Sequence, residues 1–462
     1  MNILLLHTHD TGRFISPYGY RVPTKNIMDF AKESVVFRNM FCASPTCSPS
    51  RGAFMTSQYA HCNGLIGLSQ RGHDISVSEH HMANYWKQQG FYTVLAGVQH
   101  EKGFWRPFEA GVQAGKELGY QDNLSASDDF VKNDTDLLEW DYKNAGNVAD
   151  FLLAYNKKQP FFISYGTHAT HRVYPELETG DEELYNPNYV MVPDDVVNTP
   201  ENRKDTAKLH KSLAAYDRCF GHVIQGLKDS GLYENTIVIY TTDHGLANPY
   251  AKCGLRDSGM AVSFIMRVPG YTESQGQVYE GLLSHIDVFP TLCRLTGTRI
   301  PDFMQGIDFS GVFTGDKMTA RNEVYAEVNF HASYEPQRCI RTNRYKLIQY
   351  FDPDWNRYNL ANCDDSVIKE VLMEHGILAR KKEAVQLYDL LFDPGEKENL
   401  NENPAYDKIK QELNQKLGQW MTSTADHVLS YEEYHGRYKV NRKACRTASS
   451  DRREDFESVM EA

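Results

Sequence analysis

Short apolar runs alternate with amphipathic stretches along the first two thirds of the chain. Ile3–Leu6 and residues 236–242 are short runs of mostly apolar side chains, which are typical of strands buried on both faces of a sheet. Residues 205–229 repeat apolar side chains at helical spacing and predict a helix that ends at Gly231. The same criteria predict further strands at 91–96 and 160–165 and further helices at 25–34 and 79–89. This alternation predicts an α/β fold in which helices cover both faces of a large, mostly parallel sheet.

The pattern changes after about residue 335. Residues 339–350 are typical of an antiparallel hairpin, residues 406–422 predict an amphipathic helix, and the last twenty residues form a charged tail. We therefore predict a larger domain over residues 1–335. A smaller α+β subdomain with an antiparallel sheet is predicted over residues 336–462.

Polar clusters follow four of the predicted strands, in each case close to the strand's end. These clusters are His7–Asp10, His100, His168–His171 and Asp243–His244. Because ligands of open α/β sheets bind outside the carboxyl ends of the strands, we expect the four clusters to meet at one site. Two long polar stretches, 106–135 and 172–204, predict surface loops at the rim of this site.

Composition narrows the class of function. The 462 residues include 61 acidic and 49 basic side chains, a net charge of −12, which disfavours non-specific nucleic-acid binding. An anionic substrate therefore has to be held by local cations or a metal ion. No apolar run approaches the roughly 20 residues of a membrane span, and the N-terminus lacks the features of an export signal, so we expect a cytoplasmic protein without a membrane partner. Nine scattered cysteines without a CxxC pair predict free thiols.

Two acid–imidazole pairs are candidates for metal binding. His9-Asp10 follows the first predicted strand, and Asp243-His244 follows the strand at 236–242. Together they offer oxygen and nitrogen ligands for one divalent cation. Carboxylates suit Ca²⁺ or Mg²⁺, whereas imidazole favours softer ions such as Mn²⁺ or Zn²⁺.

The segment Cys47-Ser-Pro-Ser-Arg51 resembles the signature of type I sulfatases, which belong to the alkaline phosphatase superfamily. Maturation enzymes read this signature and oxidise its cysteine to formylglycine. The resemblance therefore implies a formylglycine at Cys47 and a maturation enzyme as partner. Arg51 lies one helical turn later on the same face, where its charge can stabilise an alkoxide of the hydrated aldehyde.

Weaker motifs extend the resemblance from residue 2 to about residue 422. Residues 284–291 are similar to a helix start of the superfamily, and residues 387–400 are similar to the C-terminal signature of sulfatases. The resemblance implies an alkaline-phosphatase-like fold with a mixed sheet. It also implies one metal ion, usually Ca²⁺, held by His9, Asp10, Cys47, Asp243 and His244. His9 stands where the family usually has an aspartate.

The resemblance also implies catalytic roles. His100 matches the histidine of the family's Gly-Lys-x-His motif and is the candidate base, but Val98 stands at the lysine position. His171 matches the histidine that protonates the leaving group. Lys252 matches a sulfate-binding lysine and, with Arg51, has to carry more of the anion's charge.

Three further residues are candidates for substrate binding. His168 lies next to the proposed acid, and Arg256 is a compensating cation for the missing lysine. Arg172 either binds an acid group of the substrate or is simply solvated.

The function that the resemblance implies is hydrolysis of a sulfate ester or sulfamate. The segment from His168 to Arg172 is similar to heparan N-sulfatases and other glycosaminoglycan-type sulfatases, which favours a small sulfated saccharide. Two alternatives stay open: a phosphonate or phosphodiester hydrolase on the same scaffold, and a catalytically degenerate protein that binds sulfated glycans. The sugar, the sulfate position and the oligomeric state are not determined by the sequence.

Overall fold

The computed structural model describes residues 1–103, 106–316, 321–352, 357–428, 438–441, 445–448 and 456–457. A large sheet with helices on both faces fills the N-terminal two thirds, and a four-stranded antiparallel sheet follows. The predicted α/β fold with a smaller antiparallel sheet is therefore confirmed. Within the described part, no helix is both long enough and apolar enough to cross a membrane.

The strands are numbered in chain order. They are β1 (Asn2–Thr8), β2 (Val35–Phe37), β3 (Met40–Phe41), β4 (Tyr92–Gly97), β5 (Asp122–Asn123), β6 (Phe161–Gly166), β7 (Thr236–Thr242), β8 (Phe264–Arg267), β9 (Val278–Tyr279), β10 (Leu283–Ser284), β11 (Glu323–Phe330), β12 (Tyr334–Thr342), β13 (Tyr345–Tyr350), β14 (Val385–Asp389), β15 (Val440–Asn441) and β16 (Phe456–Glu457).

The α-helices are numbered in the same way. They are α1 (Lys25–Lys32), α2 (Cys47–Thr56), α3 (Ala60–Asn63), α4 (Met82–Gln88), α5 (Phe108–Leu118), α6 (Leu137–Ala154), α7 (Glu182–Tyr185), α8 (Pro200–Asp229), α9 (Asp257–Met260), α10 (Val288–Thr296), α11 (Gly311–Thr314), α12 (Val367–Glu374) and α13 (Asp407–Ser423).

The large sheet is mixed, with strand order β5-β4-β6-β1-β7-β8-β2-β9. The five strands from β5 to β7 run parallel, whereas β8 is antiparallel to both β7 and β2. Alternate side chains of β1 enter different cores: Ile3 and Leu5 pack on one face, and Leu4 and Leu6 pack on the other. Burial on both faces explains why β1 and β7 are continuous apolar runs.

The C-terminal sheet has the order β11-β12-β13-β14, antiparallel throughout. The predicted hairpin is confirmed as β12 and β13, and the predicted helix at 406–422 is confirmed as α13. Strand β11 begins at Glu323, so this sheet starts before the predicted boundary at residue 335. The division of the chain at residue 335 stays a prediction. Much of the predicted charged tail lies outside the described residues.

The expectation of a long loop over residues 106–135 is wrong in part, because α5 lies within it. Its sequence contains two glycines, which weaken helices. The buried face of α5 nevertheless needs small residues, since a Cβ at Gly115 would approach the Leu95 side chain to 3.0 Å. The stretch 172–204 likewise contains α7 and the first turn of α8, where the Thr199 side chain accepts a hydrogen bond from the Asn202 amide.

Candidate active site

The four polar clusters predicted from the sequence meet at one edge of the large sheet. They follow the carboxyl ends of β4, β6, β1 and β7, which are neighbouring parallel strands. The imidazole centroid of His9 lies 6.0 Å from that of His100, 6.5 Å from that of His168 and 5.3 Å from that of His171. The expected convergence is confirmed.

Cys47 is the first residue of α2 and faces this cluster. Its Sγ atom lies 3.5 Å from Nε2 of His244 and marks where the oxygen of a formylglycine side chain would stand. Although burial acts to raise it, the pKa of the Cys47 thiol lies well below its ordinary value, because Lys252 and the surrounding imidazoles favour the thiolate. The start of α2 adds the positive end of a helix dipole.

Arg51 lies one turn further along α2 and is buried. Its Nη2 donates to Oδ2 of Asp243 and to the Thr8 carbonyl, both at 3.1 Å. Its Nη1 lies 2.6 Å from Nδ1 of His7. These contacts fix the guanidinium beside Cys47 and leave it little freedom to move.

Donor atoms of four predicted metal ligands lie within 4.8 Å of one another: His9, Asp10, Cys47 and Asp243. The fifth, His244, places Nε2 3.2 Å from Oδ1 of Asp10. Among the described residues, Nδ1 of His9 and Oδ1 of Asp10 are buried without a hydrogen-bond partner of acceptable geometry. Nδ1 of His9 nevertheless lies 3.0 Å from Oδ2 of Asp243, a short distance of the kind that separates ligand atoms of one shared ion. The donor set therefore fits a divalent cation, and its mixture of carboxylates and imidazoles does not select one metal.

Lys252 brings a buried positive charge to the same place. Its Nζ lies 3.0 Å from Oδ2 of Asp10 and 2.7 Å from Oδ2 of Asp364. Burial acts to lower the pKa of Lys252, but the two carboxylates outweigh it and hold the pKa well above its ordinary value. Burial likewise acts to raise the pKa of Asp10, but Lys252 and nearby imidazoles outweigh it and hold this pKa well below its ordinary value. Both groups are therefore charged.

Asp364 was missed by sequence reasoning. It comes from the loop between β13 and α12, and its Oδ1 lies 3.9 Å from Nε2 of His171. Its side chain is 23 % exposed, so it reaches the site from the solvent side. Nothing in the local sequence distinguishes Asp364 from its neighbour Asp365, which is an ordinary exposed carboxylate paired with Lys369.

Two histidines follow β6, and both are half-buried. His171 is partly exposed, and its Nδ1 lies 2.5 Å from the Arg172 carbonyl, so we place the ring proton on Nδ1. Its Nε2 then points towards Lys252 Nζ at 3.4 Å. His168 lies beside it, with the two ring centroids 5.2 Å apart, and its backbone amide donates to Oδ1 of Asp141.

Arg172 is not solvated, which corrects one of the two readings of this residue. It is buried, and its Nη1 and Nη2 bind the Asp205 carboxylate at 2.9 and 2.7 Å. Its Nε also donates to the Ala247 carbonyl. This pairing occupies most of its donors, and its proposed contact with substrate stays a prediction.

Val98 and His100 occupy the end of β4. The Val98 side chain is fully buried against Leu137 and Trp140, so no cation stands at that position. His100 Nε2 lies 2.6 Å from Oε1 of Gln70. Burial lowers the pKa of His100, which favours the neutral imidazole that a base requires.

Arg256 lies against a different cavity, of about 810 Å³. None of the predicted catalytic or metal-binding residues lines this cavity. The Arg256 guanidinium lies over the Tyr250 ring at 5.2 Å, and its Nη2 contacts the Tyr388 hydroxyl at 3.4 Å. The structure thus places Arg256 beside the site and not among the residues around Cys47.

Comparisons with known proteins agree with this geometry. A family model described as "Sulfatase" matches residues 1–298, and one described as "N-sulphoglucosamine sulphohydrolase, C-terminal" matches residues 244–376. An ulvan-active sulfatase of Formosa agariphila is 27% identical over 454 residues, covering 92% of this chain and 75% of the relative. Human N-sulphoglucosamine sulphohydrolase is 25% identical over 478 residues, covering 92% and 90%. A solved 2-O glycosaminoglycan sulfatase superposes with a TM-score of 0.68 at 20% identity, covering 96% of each chain.

Proposed function

Since the chain belongs to the sulfatase family and is a sulfuric ester hydrolase, we propose that it releases sulfate from a small sulfated saccharide of the glycosaminoglycan or ulvan type. The bond cleaved is a sulfate ester or a sulfamate. One observation carries the proposal. Cys47, at the start of a buried helix, lies among the donor atoms of His9, Asp10 and Asp243, with Arg51 fixed beside it.

The predicted ligands of one divalent cation are His9, Asp10, Cys47, Asp243 and His244. A bound cation supplies a Lewis acid here, and formylglycine at position 47 supplies a hydrate oxygen as nucleophile. Calcium is the proposed ion because it is usual in this family. The carboxylates of Asp10 and Asp243 are ionised in the folded protein, since nearby cationic groups overcome the effect of burial on each pKa.

Lys252 and Arg51 are proposed to bind the sulfate oxygens. Both are buried cations whose positions are fixed by carboxylates, so little side-chain entropy is lost when an anion binds. Val98 cannot contribute, because its side chain is apolar and packed in a separate cluster. Arg51 of α2 and Lys252, which follows β7, thereby supply the positive charge that the family's lysine has at the position of Val98.

Two histidines are proposed to move protons. His171 keeps a proton on Nδ1 through the Arg172 carbonyl, and its cationic form donates from Nε2 to the leaving oxygen or nitrogen. His100 is neutral and buried beside Cys47, so it is positioned to accept a proton there. His168 supports His171 from behind, with their ring centroids 5.2 Å apart.

The proposal is tested by measuring inorganic sulfate released from N-sulfo and 2-, 3-, 4- and 6-O-sulfo hexosamines and uronates. The protein is co-expressed with a maturation enzyme, and the mass of the peptide that contains Cys47 shows whether its thiol was converted. We expect release from one position, and a fall of at least about 10³-fold in Cys47→Ala. Cys293→Ala is the matched control, because Cys293 is a core thiol outside the site.

Two results would overturn the proposal. Full activity of Cys47→Ala would exclude the formylglycine mechanism. Silence of the whole panel with a converted Cys47 would exclude these saccharides, and assays of phosphonates, phosphodiesters and glycan binding would then decide between the alternatives.

A further inference from the structure

A cavity next to the proposed active site is not used by the proposed mechanism. Its volume is about 810 Å³, within the range of about 300–1,000 Å³ typical of ligand sites. It shares two chain segments with the catalytic site. Thr11 and Gly12 directly follow the metal-ligand candidate Asp10, and Ala251 directly precedes Lys252.

The basic side chains of this cavity differ in how they are paired. Arg341 forms an ion pair within the protein, with its Nη2 3.1 Å from Oδ2 of Asp257. Asp257 also receives Lys346 at 2.5 Å, and Lys346 reaches Glu396 at 2.7 Å. These four groups neutralise one another, and three of them, Asp257, Arg341 and Glu396, line the cavity.

Arg13 and Arg256 stand outside these ion pairs, although Asp257 attracts Arg13 and Glu396 attracts Arg256 from a distance. Among the described residues, Nε and Nη2 of Arg13 are buried without any hydrogen-bond partner, and its guanidinium packs over the Phe41 ring at 5.3 Å. Arg256 makes one hydrogen bond, the 3.4 Å contact with Tyr388, within the described part of the chain. The unused buried donors of Arg13 are costly unless an acceptor completes them, whereas Arg256 is half-buried. The planar fork of either guanidinium matches carboxylate and sulfate oxygens.

The remaining wall is suited to a sugar ring. Tyr20 and Tyr250 line the cavity, and aromatic rings of this kind stack on the apolar faces of pyranoses. Oδ2 of Asp195 is buried there without a hydrogen-bond partner among the described residues. It is therefore an acceptor for a sugar hydroxyl.

We propose that this cavity is a second binding site for an anionic saccharide unit, whose carboxylate or sulfate binds Arg13 and Arg256. Asp195 accepts a hydroxyl of the unit, and Tyr250 packs on its ring. The saccharide class rests on the proposed function, whereas the oxyanion chemistry rests on the two arginines alone. The site is distinct from the place of hydrolysis, because it contains none of the residues around Cys47.

The test is calorimetric titration of the whole protein with a uronate–N-acetylglucosamine disaccharide that carries no sulfate group. We expect saturable binding, weakened at least about ten-fold in Arg13→Met and in Arg256→Met. Methionine retains the packing of the side-chain stem, and circular dichroism checks the fold. Asp195→Asn serves in place of Arg13→Met if that variant does not fold. Arg299→Met is the matched control, since Arg299 is 77% exposed and outside the cavity, and it should bind as the wild type does.

A second arm uses 6-O-sulfated glucosamine and Cys47→Ala protein, so that no turnover occurs. Weakening by Arg256→Met in either arm supports the site, and the arm that responds identifies carboxylate or sulfate as the bound group. Equal binding of a neutral disaccharide, absence of binding up to about 20 mM, or an equal loss in Lys252→Met would overturn the proposal. The sulfate-free probe cannot be hydrolysed by a sulfatase, so this result is independent of whether sulfate release is found.

Discussion

Two buried charge clusters of this protein are built from the same residue types and differ in how they are satisfied. The catalytic cluster holds Asp10 and Asp243 close together, with orphaned atoms on Asp10 and His9. The structural cluster lies between α3 and the C-terminal sheet and contains His61, Glu327, Arg338 and Asp426. Burial alone therefore does not separate a reactive site from a scaffold.

Pairing makes the distinction. Both oxygens of Asp426 accept from Arg338, and both oxygens of Glu327 are used, by His61 and by Asn329. The carboxylates of the proposed active site are also paired, Asp243 with Arg51 and Asp10 with Lys252, but Oδ1 of Asp10 keeps no hydrogen bond of acceptable geometry among the described residues. The structural cluster should therefore contribute to stability without any ligand, whereas the catalytic cluster should contribute only when its ligand is bound.

The largest effect is expected from breaking the structural cluster. Arg338→Met leaves both Asp426 oxygens buried without their partner, so we expect a loss of about 3–5 kcal/mol in the free energy of unfolding. Denaturant unfolding followed by fluorescence measures it. Arg344→Met is the control, because Arg344 is 44% exposed and water screens its pair with Asp389. Equal losses in the two variants would show that the buried pair of Arg338 and Asp426 contributes no more to stability than the exposed pair.

The second effect concerns the catalytic cluster. Adding Ca²⁺ at about one hundred times its dissociation constant should stabilise the protein by about 2.7 kcal/mol, because the ion binds only the folded state. Asp243→Asn should remove most of this increment, as measured by thermal unfolding with and without chelator. Glu327→Gln lowers stability yet should keep the full calcium increment. A calcium increment that survives in Asp243→Asn would mean that the ion binds elsewhere.

The strands and the four polar clusters were predictable because the information is local. Burial on both faces makes β1 and β7 continuous apolar runs, and the functional groups directly follow the strand ends. The motif from Cys47 to Arg51 is also local, within one helical turn of α2. Parallel pairing then brings these local features together without further information.

The missed features depend on contacts between distant residues. Asp364 reaches Lys252 across 112 residues, and Arg172 is neutralised by Asp205 across 33. Neither pairing leaves a periodic pattern in the sequence. Helix α5 was missed for a related reason, because its glycines are favourable only where they pack against β4.

A smaller effect is expected from the pH dependence of the His61–Glu327 pair. Burial acts to lower the pKa of His61, but Glu327 raises it to about 10, while the pKa of Glu327 falls to about 2. Below about pH 6.5 the histidine contribution is fully present, and it is lost as the pH rises towards 10. The glutamate contribution is present above about pH 4.5 and is lost as the pH falls towards 2.

A double-mutant cycle of His61→Gln and Glu327→Gln isolates the coupling energy of this pair. We expect a coupling of about 1–3 kcal/mol between pH 5 and pH 6.5 that decays by pH 10. The free energy of unfolding of the four proteins, measured at each pH, gives the result. A coupling that stays constant from pH 6 to pH 10 would contradict the assigned charge on His61.

The smallest effect is expected for anion binding when Asp364, at the solvent-facing side of the proposed active site, is changed. Asp364 lies 2.7 Å from the sulfate-binding candidate Lys252, so its negative charge opposes the binding of an anion there. Asp364→Asn removes that charge at nearly constant shape. We expect the inhibition constant of inorganic sulfate and the KM for the substrate to fall about 3–10-fold.

Asp365→Asn is the matched control for this prediction. Asp365 is the adjacent residue, 82% exposed and paired with Lys369, so its charge is screened by water and lies outside the site. If both variants lower the inhibition constant equally, the effect is one of general charge and not of Asp364. If Asp364→Asn raises the constant, the carboxylate positions Lys252 for the anion, and the loop between β13 and α12 becomes part of the sulfate-binding machinery.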